Sequence, residues 1–293
     1  MNNQFIIEKA SKRAKKLRIG LFGPSGYGKT YSSLLMAYGI CKDWEKICVI
    51  DTEHGSASLY SDLGQFMVIN FNPPYSPKNY IKAIRTAENA GFEVIIIDSI
   101  AHEWAGKGGC LEIHDKLGGR FQDWSKVSPM HNAFIDAILA SKAHVITCGR
   151  TKQEYALTTG DSGKMRVQKM GLKEITREGF EYELDIAFRL VNENHLVEVS
   201  KDRTRIFDGV DPFIITSETG ETLAKWSSEG EKEIDIALRA VRGCTNLEQL
   251  GYLFSKKYNH LKDNADFVKA IKARKLYIED LNNGEKKEEN TSN

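Results

Sequence analysis

The sequence predicts an α/β fold, with a mainly parallel central sheet flanked by helices and a small helical module at the C-terminal end. Three observations predict it. Short β-branched runs alternate with helical patterns over most of the chain, a glycine-rich turn joins the first run to the first helix, and apolar residues at three- and four-residue spacing take over near the end. A chain of 293 residues with 41% apolar side chains can bury a core of ordinary size with an appendage.

The elements follow in order. A strand is read at 17–22, then the glycine-rich turn, a helix at 29–41 and a strand at 46–51. The run Ile47-Cys48-Val49-Ile50 suits a strand covered on both faces, so this stretch forms a βαβ unit. A strand at 66–71, a helix at 76–90 ended by Gly91 and a strand at 92–98 repeat the alternation. Segment 103–123 carries Gly106, Gly108, Gly109, Gly118 and Gly119, too many for one regular element, and is expected to be mobile around a short helix at 110–116. A helix at 128–141, a strand at 143–149 and a polar loop at 150–173 come next, and 183–191 and 195–201 read as a hairpin through Asn192-Glu193-Asn194. The resulting organisation is a basic arm at 1–16, a core at 17–215, a polar linker at 216–230, a helical module at 231–281 and a disordered tail at 282–293.

Charge balance excludes a bulk attraction to polyanions or membranes: 41 Lys and Arg face 40 Asp and Glu, leaving +1. Any such site must be local. One basic cluster is Lys9, Lys12, Arg13, Lys15, Lys16 and Arg18. The other lies in 150–173, where Arg150, Lys152, Lys164, Arg166, Lys169 and Lys173 outnumber Glu154 and Asp161. The five cysteines are odd in number and contain no C-x-x-C, which argues against a disulfide framework and a zinc site, and no histidine has metal-ligand spacing. A reducing cytoplasm is the expected location, since no apolar run approaches the roughly 18 residues that span a bilayer.

Gly23-Pro24-Ser25-Gly26-Tyr27-Gly28-Lys29-Thr30 fits G-x-x-x-x-G-K-[ST] in full, between a strand and a helix. Glycines let the backbone N–H groups turn inward around phosphates, and the helix N-terminus adds positive potential. Lys29 is then the residue that reaches the β- and γ-phosphates, and Thr30 the one that ligates Mg²⁺, so ATP and Mg²⁺ are the implied cofactors. Val94-Ile95-Ile96-Ile97-Asp98 ends a buried strand in a carboxylate, where a second Mg²⁺-holding group is expected.

Asp51-Thr52-Glu53-His54-Gly55 follows the other buried strand and, with Tyr60 and Leu63-Gly64, resembles the RecA segment that carries the catalytic glutamate. The resemblance implies a RecA-like P-loop NTPase with Glu53 as general base. His144 to Lys152 is similar to the RecA strand and switch loop, but without its Asn-Gln, and Arg150 stands at the place of the γ-phosphate sensor. Later segments, 167–172, 177–183 and Val199-Ser200-Lys201-Asp202-Arg203-Thr204, resemble a group of phage-encoded, RecA-like ATP-binding proteins. That likeness implies a homo-oligomer in which Lys201 and Arg203 reach a neighbour's ATP. It implies action on single-stranded DNA in recombination or replication, and the local excess of basic residues in 150–173 makes Lys152, Lys164, Arg166, Lys169 and Lys173 the expected contacts. The C-terminal helices resemble tail modules of phage recombination proteins, which implies a single-strand binding or annealing protein as partner. Two alternatives stay open: a ring helicase or translocase, and a nucleotide-gated assembly module that does not touch DNA.

Overall fold

The computed structural model describes residues 14–159, 165–230 and 232–291, with the backbone alone for 153–159, 165–173 and 281–291. The chain divides into two compact units, Lys16–Ser227 and a smaller one whose described helices lie beyond Ser228. In the first unit the strands are β1 (Arg18–Gly23), β2 (Ile47–Asp51), β3 (Met67–Asn70), β4 (Val94–Asp98), β5 (His144–Thr159), β6 (Met165–Glu174), β7 (Ile186–Leu190), β8 (Leu196–Asp202) and β9 (Phe213–Ile214). Its helices are α1 (Lys29–Cys41), α2 (Pro77–Asn89), α3 (Ala101–Ala105), α4 (Cys110–Lys116), α5 (Trp124–Leu139) and α6 (Ser217–Ser228).

The strands lie in the order β3-β2-β4-β5-β1-β7-β8-β9, with β6 paired to β5 outside that path. All pairings from β3 to β7 are parallel, and β8 and β9 add an antiparallel edge. Parallel pairing collects the carboxyl ends of β1, β2, β4 and β5 on one edge in register. Asp51 lies opposite Asp98, Asp98 opposite Cys148, and Gly23 opposite Arg150.

Both faces of the sheet are covered, which explains the unbroken apolar runs. Val49 and Ile96 pack with Leu34 and Met36 of α1 and Leu223 of α6, while the alternate residues Ile50, Ile95 and Ile97 pack with Tyr80 and Ile84 of α2 and Phe134 and Ile138 of α5. Each such large side chain contributes about 1.5–3 kcal/mol on burial.

Four expectations for this unit need correction. Segment 217–228 is helix α6 rather than a linker: Leu223 is buried, and Gly39 of α1 meets Gly220 so closely that a side chain on either would strike the other helix's backbone. The strand predicted at 143–149 continues to Thr159 and pairs antiparallel with β6, so the loop expected at 150–173 is a two-stranded hairpin. Segment 103–123 is held in α3 and α4, whose glycines sit in the turns between helices. Arg18, counted with the first basic cluster although it lies past the arm, is buried and donates to the carbonyls of Leu17, Leu139, Ser141 and Ala143. Residues 1–13 of that arm lie outside the described residues.

The second unit contains α7 (Glu233–Gly243), α8 (Leu247–Tyr252) and α9 (Ala265–Thr291). Asn246 caps α8 by accepting from the Gln249 N–H at 2.9 Å. Ala237, Val241, Leu250, Leu253, Tyr258, Phe267 and Ile278 form its own core. The helix predicted to end near 281 runs on to Thr291, through the stretch expected to be disordered. Among the described residues no helix is long and apolar enough to cross a membrane.

Candidate nucleotide site

The carboxyl edge of β1, β2, β4 and β5 encloses a cleft of about 400 Å³ lined by Ser25, Gly26, Lys29, Thr30, Glu53 and Asp98, among others. β1 delivers the loop from Gly23, and Gly26 and Gly28 turn it through left-handed backbone angles, φ +84° and +88°. A Cβ built on Gly26 would meet nothing within 4 Å, so this part of the loop borders open space. α1 begins at Lys29 with no side chain capping it and no acid in its first turn, which leaves its N–H groups directed at the cleft. Lys29 folds back over the loop, and its Nζ donates to the carbonyls of Gly23 at 3.0 Å and Pro24 at 2.8 Å. Burial lowers its pKa.

Thr30 Oγ1 donates to Asp98 Oδ2 at 2.5 Å, so the two residues expected to share a metal already touch. Burial raises the Asp98 carboxyl to about 6 against the opposing effects of Thr30 and Lys29. A buried carboxylate of this kind, beside a hydroxyl and an ammonium, is an environment that a divalent cation would relieve. The Ser56 hydroxyl, also on the cleft, is buried without a hydrogen-bond partner among the described residues. Donor set, open loop and orphaned hydroxyl all fit a nucleotide triphosphate with Mg²⁺.

Glu53 is set by its neighbour Asp51, which accepts from the Glu53 N–H at 2.6 Å and from the Ala57 N–H at 2.8 Å and so fixes the turn. Thr52 ties the same turn to β4: its N–H donates to Asp98 O at 2.7 Å and its Oγ1 accepts from the Ser99 N–H at 2.8 Å. The Glu53 carboxylate is ion-paired with Arg150, which enters the cleft from the β5 position beside Gly23.

His195 is the residue that linear reading missed. It leads into β8 with φ +63°, and its Nδ1 donates to the Tyr27 carbonyl at 2.8 Å from 168 residues away. Its ring fills the space where a Gly28 side chain would stand. The only local signal was a histidine in a tight Asn-Glu-Asn turn.

The structure does not bring Lys201 and Arg203 to the cleft. Lys201 pairs with Ala187 near the amino ends of the parallel strands, the opposite edge of the sheet. Lys201 Nζ donates to Glu181 O at 2.8 Å and Arg203 to Tyr182 O at 2.7 Å, bracing the turn before β7. Of the expected DNA contacts, Lys152 is exposed on β5 and Lys164 lies outside the described residues. Arg166, Lys169 and Lys173 fall on β6, where the backbone alone is described.

A family model described as an AAA domain matches residues 15–227, and the chain belongs to that family. It is thereby a nucleotide-binding protein of the P-loop ATPase class. No curated protein matches it.

Proposed function

We propose that this protein hydrolyses ATP with Mg²⁺ and uses the cycle to act on single-stranded DNA, as a RecA-like member of the phage-encoded group it resembles. The observation that carries the ATPase reading is the convergence of Lys29, Thr30, Asp98, Glu53 and Arg150 in one cleft. Mg²⁺ held by Thr30 and Asp98 would neutralise charge on the phosphate oxygens. Lys29 exchanges its two loop carbonyls for phosphate oxygens, and the N–H groups at the start of α1 bind the same anion. Glu53 takes the proton of the attacking water, a role for a carboxylate near the phosphates that does not itself ligate metal. While Arg150 holds Glu53, that carboxylate is engaged by the guanidinium and not by water. Phosphate competing for Arg150 releases it, which couples substrate binding to activation.

The DNA reading is supported by the β5–β6 hairpin, which leaves the sheet directly from Arg150. It carries six Lys and Arg against two acids over 150–173, counting Arg150 itself. A change at Arg150 is therefore positioned to reach the hairpin. The test is ATP turnover against single-stranded DNA in the wild type and in a Lys164→Ala, Arg166→Ala, Lys169→Ala variant. Stimulation lost in the variant with basal turnover kept is expected. Equal stimulation in both would move the DNA site off the hairpin, and none in either would favour a nucleotide-gated assembly module.

A further inference from the structure

Away from the cleft, three ligating side chains far apart in sequence meet in the interior. Glu103 lies in α3, Cys110 opens α4, and His131 lies in α5; all three are buried, with their ligating atoms within 4.8 Å of one another. Cys110 Sγ lies 3.1 Å from Glu103 Oε1, and His131 Nδ1 lies 3.1 Å from each Glu103 oxygen. The turn between α3 and α4 is shaped for this return. Gly108 has φ +77°, and a side chain on Gly109 would strike the carbonyls of His102, Glu103 and Gly106.

We infer that Glu103, Cys110 and His131 form a buried site for a divalent ion of the zinc class. The donor set is the first argument. One thiolate sulfur, one imidazole nitrogen and one carboxylate oxygen is a mixture that zinc accepts and that the hard ions calcium and magnesium do not favour. Distance is the second. In a tetrahedral site with bonds of about 2.0–2.3 Å, donor atoms stand about 3.3–3.6 Å apart; the 3.1 Å contacts that Cys110 and His131 make with Glu103 are within a few tenths of an ångström of that, and all three donors lie within 4.8 Å of one another. Charge is the third. Glu103 is 0% exposed and its direct partners are a thiol and an imidazole, in a setting where Trp104 stands edge-on to His131 at 5.5 Å. A cation there offsets the cost of a buried carboxylate.

Water or a main-chain carbonyl completes the coordination. Cys110 binds as the thiolate and its proton goes to solvent, so affinity falls as pH falls. The ion would cross-link α3, α4 and α5. That brace lies just behind the nucleotide site: Glu103 follows Asp98 by five residues, and the intervening His102 bonds Thr52 Oγ1 through Nδ1 at 2.7 Å. The inference does not depend on the ATPase reading.

The test is a Co²⁺ titration of the full-length, reduced, EDTA-treated protein without nucleotide, followed optically. One Co²⁺ per chain is expected, with a near-ultraviolet thiolate-to-cobalt band and strong tetrahedral visible bands, both displaced by equimolar Zn²⁺. Cys110→Ser should remove the thiolate band, and His131→Asn should weaken Zn²⁺ binding by more than about 100-fold. Circular dichroism establishes that each variant is folded. Co²⁺ at Thr30 and Asp98 would give only weak bands of oxygen ligation, so the two sites are distinguishable. A wild type without a thiolate band overturns the inference and leaves the three residues as a hydrogen-bonded core network. A band that survives both substitutions overturns it as well.

Discussion

The two edges of the sheet use charge in opposite ways. At the amino edge, Arg18, Lys201 and Arg203 donate to main-chain carbonyls of the turns and strand ends around them. At the carboxyl edge, Lys29 borrows two loop carbonyls, Asp98 holds the Thr30 hydroxyl, and Glu53 and Arg150 hold each other. The first set closes structure. The second consists of groups satisfied by partners that an incoming anion and cation can replace. Residue type does not separate the two sets, and neither does bonding to a carbonyl, since Lys29 does that too; their place on or away from the cleft does.

Replacing Asp98 breaks the comparison most sharply on stability. Its folded pKa is raised from 3.8 to about 6, so between these values the native state binds more protons than the unfolded state. Stability from this group is therefore lost as pH rises through that window. Above pH 6 the nucleotide-free Asp98→Asn variant should be more stable than wild type by up to about 3 kcal/mol, with no difference below pH 4. Urea unfolding across pH measures this. A variant less stable than wild type at pH 8 would contradict the picture of a carboxylate awaiting a cation.

Arg203→Ala gives the smaller effect. Loss of one exposed hydrogen bond to the Tyr182 carbonyl should cost about 1 kcal/mol, with ATP turnover per folded chain unchanged. If turnover collapses while stability holds, Arg203 serves a neighbour's nucleotide as the RecA likeness implies, and the bracing role is secondary.

What was legible in the sequence follows the range of the interactions. Gly23 to Thr30, Asp98 and Glu53 were readable because strand, turn and helix geometry over a few residues sets their positions, and parallel register then brings them together. His195 was not, since its bond to Tyr27 depends on the β7–β8 turn arriving beside the loop. Glycines misled once and polarity once. In 103–123 they mark tight turns between short helices, and in 217–228 Gly220 permits a close helix crossing against Gly39. Cys110 and His131 have no ligand spacing along the chain; the glycine turn between α3 and α4 returns Cys110 to Glu103, and α5 brings His131 to both.

The central claim is that the carboxyl-edge cleft binds a nucleotide through Lys29 and cleaves it with Glu53. Calorimetric titration with Mg²⁺-ATP, paired with turnover on the same samples, tests it on Lys29→Ala and Glu53→Gln side by side. The account predicts that Lys29→Ala loses affinity by about 100-fold or more, while Glu53→Gln binds as wild type and turns over about 100-fold more slowly. Wild-type affinity in Lys29→Ala, or wild-type turnover in Glu53→Gln, would contradict it.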